Sequence, residues 1–380
     1  MSELIIQFLD VGQGDGIFIK FPNRKTMLVD LGSNKNKDLV EESILKYFKE
    51  QTIFEEEGKV LDYLILTHAD GDHYNLMLEF RDTLKPLIKN LLHSGKKGDY
   101  KTKERKISER KRVISELSLA QTREGKPSIN VLRSSGTYPF TLETSDYFGG
   151  VSVEVLAMNV PGTTKKTKAW IKNTGSVVLK LEYAGVGVLL TGDATWDTEK
   201  YILNMMTEAD RLEDLKSTIL KVPHHGSART SVSKAWIEAI KPEYVFISSD
   251  RQGASAEREK TGHRLPQQLA IDIIEKNTKL AADSLKHTYV ASYDPDDYTN
   301  YKDPFTKAGF ENPHTKEVPG EDVPDWTAVR CWTQAETLSG IYTTLLVMDK
   351  KFKDGTVADQ GTQYAVEINR EGEIEVFSVF

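Results

Sequence analysis

The run Thr67-His-Ala-Asp-Gly-Asp-His73 constrains this chain more than any other feature, because it places four metal-competent side chains, His68, Asp70, Asp72 and His73, within six residues. It follows directly on Leu61-Asp-Tyr-Leu-Ile-Leu66, a nearly continuous apolar run that reads as a strand covered on both faces. The motif therefore stands at a strand's end. A loop there can fold short side chains inward onto two cations about 3.5–4 Å apart, as two-metal hydrolases require. Imidazole nitrogen and carboxylate oxygen suit zinc, manganese or iron, and several carboxylates without a thiolate lean toward the harder metals. Taken alone, an Asp-Gly turn flanked by histidines is also an ordinary surface loop.

Other strand ends repeat the pattern. Val188-Leu-Leu-Thr-Gly-Asp193 is an apolar strand ending in a carboxylate, and Leu220-Lys-Val-Pro-His-His-Gly-Ser227 is a short strand ending in His224 and His225. Asp30 closes Thr26-Met-Leu-Val-Asp, where a carboxylate can orient a ligand histidine or a metal-bound water. For Asp30 or Asp193 alone, a turn or helix cap is the commoner reason for such a residue. Asp10 and Asp15 lie in a Gly-rich turn; either shapes the turn or supports ligands, and for Asp10 the turn is the expected role.

With 380 residues, 39% hydrophobic and 28% charged, the chain suits one large globular domain with additions, or two domains. The start, MSELIIQFLDVGQGD, has no basic leader and no apolar run reaches the roughly 18 residues of a membrane span, so a soluble cytoplasmic protein without a membrane partner is expected. The single cysteine, Cys331, stands far from the histidines and reads as an apolar packing residue. A net charge of −7 argues against general nucleic-acid coating, yet Pro86 to Lys126 carries twelve Lys or Arg against five Asp or Glu. Lys165, Lys166, Lys168 and Lys172 form a second basic cluster, and the plain alternative for both is solvated surface.

Period and turn residues predict strands over Leu4 to Asp10, Gly16 to Phe21, Thr26 to Asp30, Leu61 to Thr67, Val151 to Met158, Ser176 to Glu182, Val186 to Thr191, Leu220 to Pro223 and Tyr244 to Ser248. Helices are expected over Asp38 to Glu55, residues 76–85, Trp196 to Glu208, Ser231 to Ile240 and Pro266 to Lys276. Lys101 to Glu124 reads as a long charged helix with a thin apolar stripe, within an insertion spanning about residues 86–126. Two β-rich blocks with helices fit an α/β four-layer sandwich in which two sheets face each other. Residues 276–380 read as a C-terminal extension. Asp294 to Asp325 is irregular, and strands follow at Ile341 to Met348, Gln363 to Asn369 and Glu373 to Val379.

Together these motifs resemble the metallo-β-lactamase superfamily, most closely the branch containing the hydrolase domain of the competence protein ComEC. The matching pieces are Phe8-Leu-Asp-Val-Gly-Gln-Gly-Asp15, Leu28-Val-Asp-Leu-Gly32, Leu64 to His73, Asn173-Thr-Gly-Ser176, Leu189-Leu-Thr-Gly-Asp193, Val222-Pro-His-His-Gly-Ser227 and Thr261-Gly-His-Arg-Leu-Pro266. They stand in family order over about residues 1 to 275, which the resemblance makes an αββα hydrolase domain. Most relatives carry histidine where Asp70 stands and bring another from the position of Asn173; aspartate at the former is the ComEC-like pattern. The resemblance implies two divalent ions, Zn2+ or Mn2+. It assigns His68, Asp70 and Asp193 to one, with Asn173 near it, and Asp72, His73, Asp193 and either His224 or His225 to the other.

The same resemblance implies a phosphodiester substrate and makes Asp72, Asp193, His225 and His263 the expected catalytic residues. Ser227 and His263 are expected to contact substrate oxygens, with a satisfied surface or core histidine as the alternative reading of His263. The basic insertion makes a nuclease the first expectation, with Lys103, Arg105, Lys106, Arg110 and Lys111 holding phosphates of DNA or RNA. A phosphodiesterase for a cyclic nucleotide or phosphocholine-type ester would use the same metals. From another class, the chain could be one subunit of a multi-protein, defence-type assembly that docks through residues 276–380.

Overall fold

The computed structural model describes residues 3–11, 14–34, 59–103, 110–119, 136–161, 167–249, 341–345 and 363–379, with parts of 44–49, 122–132 and 265–278. Strands β1 (Leu4–Phe8), β2 (Gly16–Lys20), β3 (Thr26–Leu31), β4 (Val60–Leu66) and β5 (Leu87–His93) begin the first sheet. Two short antiparallel ladders follow, β6 (Lys101–Lys103) with β7 (Arg110–Arg112) and β8 (Thr122–Arg123) with β9 (Lys126–Pro127). After β10 (Asn130–Leu132) come β11 (Phe140–Glu143), β12 (Ser152–Ala157), β13 (Val178–Tyr183), β14 (Val186–Leu190), β15 (Ile219–Lys221) and β16 (Tyr244–Ser249). The last strands are β17 (Ile341–Leu345), β18 (Gln363–Ile368) and β19 (Ile374–Val379).

They form two main sheets, ordered β10-β5-β4-β3-β2-β1-β18-β19 and β11-β12-β13-β14-β15-β16-β17. In each, an antiparallel half adjoins a parallel one: β3, β4, β5 and β10 run parallel in the first, β14 to β17 in the second. The helices are α1 (Gly71–Tyr74), α2 (Met77–Leu84), α3 (Val113–Leu119), α4 (Lys168–Thr174), α5 (Trp196–Glu208) and α6 (Lys234–Ile240). Within Asp38 to Glu55 the described residues 44–46 and 48–49 are helical, as are Ala270, Ile273 and Ile274 within Pro266 to Lys276.

Strand alternation builds the four layers. On β4, Tyr63 and Ile65 face the second sheet, whereas Leu64 and Leu66 join Phe48, Phe80 and Leu84 in an outer cluster. On the second sheet, Val188 and Leu190 face inward while Leu189 packs outward with Ile202, Trp236 and Ile237 from α5 and α6. Phe8 of β1 stacks on Phe246 of β16 at 4.2 Å, joining the sheets at the centre. Each such apolar side chain removed from water contributes roughly 1.5–3 kcal/mol. Among the described residues no helix is long and apolar enough to cross a membrane.

Two expectations need correction. Lys101 to Glu124 is not one long helix: Lys101–Lys103 and Arg110–Arg112 pair as the β6–β7 ladder, Thr122–Arg123 pairs with β9, and among the described residues of the segment Val113–Leu119 alone is helical. The apolar stripe is real there, since Val113, Ile114 and Leu117 are buried against the outer cluster, but it is one turn or two long. The insertion also starts too early in the sequence reading, because Leu87–His93 is a core strand paired along β4. At the other end, β17 extends the second sheet beside β16, and β18 pairs with β1, so residues after 340 complete both sheets.

Candidate metal centre

Polar residues gather where the parallel strands end, since that is where chain leaves the apolar layers and can turn side chains back over the sheet edge. Asp30 stands at the end of β3 with a left-handed backbone (φ 57°) and no exposure. Its carboxylate accepts from the Thr67 amide at 2.7 Å and the Thr67 hydroxyl at 2.5 Å, and pairs with His73 Nδ1 at 2.7 Å. That contact fixes the imidazole of His73 so that Nε2 points to Asp193 Oδ1, 3.2 Å away. Two glycines let the pieces close up. A Cβ on Gly32 would lie 2.4 Å from the carbonyl carbon of Asp72, and one on Gly192 would lie 2.8 Å from Cβ of Thr67.

Asp193 is the centre of the arrangement. Its Oδ1 lies 3.2 Å from His73 Nε2 and 3.5 Å from His225 Nε2, and the latter is also 3.5 Å from Asp72 Oδ2. Its Oδ2 lies 3.7 Å from His68 Nε2 and 3.6 Å from His224 Nε2, while His68 Nε2 is 3.9 Å from Asp70 Oδ2. Both candidate histidines thus approach, one on each carboxylate oxygen. This split depends on backbone strain: His224 and His225 are consecutive left-handed residues at φ 49° and 54°, a conformation costing about 1 kcal/mol or more each. Ser248 O receives the Nδ1 side of His225 at 2.7 Å, and the Thr230 hydroxyl meets His224 Nδ1 at 2.6 Å. On α5, Glu199 accepts from the amides of Val232 and Ser233 and so holds the chain that follows the histidines.

The electrostatics are those of a buried site rich in carboxylate. Burial pushes His68 well below the usual histidine range, aided by neighbouring His73, which favours the neutral imidazole. Burial also opposes a charge on His73 and His225, but Asp193 chiefly, with Asp30 beside His73 and Asp72 beside His225, lifts both above it. Against burial, the same imidazoles hold Asp193 well below the carboxylate range and Asp72 at about 2. Burial raises Asp70 although the Lys172 ammonium, 2.9 Å from its Oδ1, opposes the rise.

Three buried atoms in this cluster, His73 Nε2, Asp193 Oδ1 and His225 Nε2, have no hydrogen-bond partner. Leaving such atoms bare in a protein interior is costly, and their convergence fits a divalent ion. His68, His73 and Asp193 present ligand atoms within 4.8 Å of one another, and so do Asp72, His73 and His225. Asn173 borders the first half-site: with its amide nitrogen toward Asp70 Oδ2 and Ala169 O, each 3.0 Å away, its oxygen faces His224. Ser227 is buried beside the histidines. His263, Arg105 and Lys106 lie outside the described residues, as do the side chains of Lys103, Arg110 and Lys111.

Sequence reasoning missed several partners. Asn34 donates to Asp72 Oδ2 at 2.8 Å, Lys172 bonds Asp70, and the fully buried Lys221 bonds Asp15. Only Lys221 left a signal, as the one charged residue in the apolar run Ile219 to Val222.

Among curated proteins, the chain is similar to ComE operon protein 3 of Bacillus subtilis, 24% identical over 265 residues that cover 66% of this chain and 29% of the relative. It is also similar to Recombination protein 2 of Haemophilus influenzae, 26% identical over 251 residues, or 65% of this chain and 24% of the relative. The chain therefore spans less than a third of the length of the curated relatives it matches. Among solved structures, Igni18, a metallo hydrolase from the archaeon Ignicoccus hospitalis, aligns with a TM-score of 0.35 and 12% identity, covering 64% of this chain and 82% of that one. The model of one family matches residues 9–248, from the turn after β1 into β16 and through every strand end that brings a residue to the His and Asp cluster. By that match the chain belongs to the metallo-beta-lactamase superfamily of metal-dependent hydrolases.

Proposed function

We propose that the protein is a two-metal phosphodiester hydrolase whose substrate is a nucleic acid. The observation that carries this reading is Asp193, whose two oxygens face two separate sets of ligand atoms. In this reading His68, Asp70 and His224 would help hold one ion and Asp72, His73 and His225 the other, with Asp193 within reach of both sets. The donor mix of imidazole and carboxylate suits zinc or manganese. A pair of divalent ions, when bound, lowers the pKa of water and offsets the charge that builds on phosphoryl oxygens.

The chain's own residues do the rest. Asp30 keeps the Nδ1 proton of His73 engaged, Ser248 O does so for His225, and each Nε2 is thereby committed to the site. Lys172, half-buried on α4, holds its ammonium beside Asp70, where it can meet a phosphate oxygen of an approaching substrate. The excess of positive charge between Pro86 and Lys126 in an otherwise acidic chain supports a polyanionic substrate. One curated relative carries recombination in its name, which agrees with that choice.

The test is an assay of the zinc- or manganese-loaded protein against linear and circular DNA, RNA and a small bis-ester of phosphate. Cleavage of a nucleic acid at a rate that falls steeply with salt is the expected result. Turnover of the small ester alone would make the protein a small-molecule phosphodiesterase and overturn the nucleic-acid reading.

A further inference from the structure

Lys221 is fully buried, yet it sits in the inter-sheet position of β15, next in alternation to Ile219, where an apolar residue would cost far less to desolvate. Its Nζ crosses from the second sheet to the first and donates to the carboxylate of Asp15, in the turn between β1 and β2. It also donates to the Gly192 carbonyl at 3.0 Å, immediately before Asp193. The same carbonyl accepts the His224 amide at 3.1 Å. On the other side, the Asp15 amide donates to the Asp72 carbonyl at 3.1 Å, and the Gly32 amide donates to Asp15 O at 3.0 Å. The Asp15 carboxylate lies 3.7 Å from His73 Nδ1 and 3.9 Å from His225 Nδ1, too far to bond either ring.

The metal ligands come from two halves that no covalent segment joins closely. His68, Asp70, Asp72 and His73 follow β4 of the first sheet, while Asp193, His224 and His225 follow β14 and β15 of the second. The Lys221–Asp15 pair is anchored to both: to Gly192 beside one half, and to Asp72 within the other. We propose that Lys221 and Asp15 form a positioning pair that sets the spacing of the two ligand halves before any ion binds. In this role both residues act through Gly192 and Asp72, although Asp15, Asp30 and His73 also bring ligand atoms within 4.8 Å of one another. The proposal rests on the two-metal reading of the site.

A buried ion pair replaced on both sides by neutral groups is often neutral for stability, whereas one removed partner leaves a bare charge. The variants separate folding from positioning on that basis. Lys221→Met is expected to lower the melting temperature. Lys221→Met with Asp15→Asn is expected to melt within a few degrees of the wild type, because no buried charge is left alone. In that double variant, titration with zinc against a chromophoric chelator should show each ion bound at least tenfold more weakly, and cobalt(II) should give an altered visible spectrum.

Wild-type zinc affinity and cobalt spectrum in the folded double variant would overturn the proposal, leaving the pair a purely structural bond. Failure of Lys221→Met, Asp15→Asn and the double variant all to fold would make it a folding element and overturn it equally. If the wild type itself takes up fewer than two ions in the same titration, the two-metal reading fails instead.

Discussion

Asp30→Ala is the substitution whose consequences the structure specifies most fully. The carboxylate has no solvent contact and serves three donors: the Thr67 amide, the Thr67 hydroxyl and His73 Nδ1. The Thr67 hydroxyl keeps contacts with His68 Nδ1 at 3.1 Å and His73 Nδ1 at 3.4 Å, but the Thr67 amide is left without a partner and the imidazole of His73 with only that long contact. Orphaning one buried donor and leaving a second with only a long contact costs about 1–6 kcal/mol at 1–3 kcal/mol each, up to a large share of the 5–15 kcal/mol typical of a folded protein. His73 also loses the contact that aims Nε2 at Asp193, and loss of such an outer partner weakens metal binding by about 10–100-fold. Urea unfolding of the metal-free protein gives the first quantity and zinc competition with a chelator gives the second. A variant that unfolds at the wild-type midpoint and keeps wild-type zinc affinity would refute the role assigned to Asp30.

Other expectations follow from the same geometry. Asp72→Ala with His73→Ala should abolish hydrolysis but keep a cooperative thermal transition, because the inter-sheet core around Phe8 and Phe246 holds the fold; loss of that transition would make the metals structural. Replacing Lys103, Arg105, Lys106, Arg110, Lys111 and Arg112 with glutamine should raise KM on DNA or RNA and flatten its salt dependence while a small chromogenic diester is cleaved as before. If both substrates respond alike, the basic residues are structural. Stability should fall as pH rises past about 10, the tyrosine value of unfolded chains. Burial raises the folded pKa of Tyr100, Tyr63 and Tyr74, so stability is fully present below the unfolded value and is lost as pH climbs toward the folded ones. Melting curves at pH 9 and 11 should show this drop, and Tyr100→Phe should make it shallower.

The parts of this molecule that could be read from sequence are those where one short segment carries its own signal. β4 and the candidate ligands after it are such a case, since an apolar run ends abruptly in His68, Asp70, Asp72 and His73. α5 is another, matching Trp196 to Glu208 from its apolar period. Lys101 to Glu124 misled because its charges mask any strand period, although β6 and β7 pair there as an antiparallel ladder. Leu87–His93 was hidden by the polar residues Lys89 and Asn90 in its middle. The placement of His224 and His225 on opposite oxygens of Asp193 goes with two left-handed residues in a row, which no sequence pattern announces. Lys221 meets Asp15 across 206 positions, a distance over which only the packing of the two sheets brings them together.

The central claim is that Asp193 is shared by two divalent ions, and metal content per chain measures it most directly. After incubation with zinc or with manganese and removal of free metal, elemental analysis should find two ions per chain in the wild type and a clear loss in Asp193→Ala. No more than trace metal in the wild type after both incubations would contradict the account.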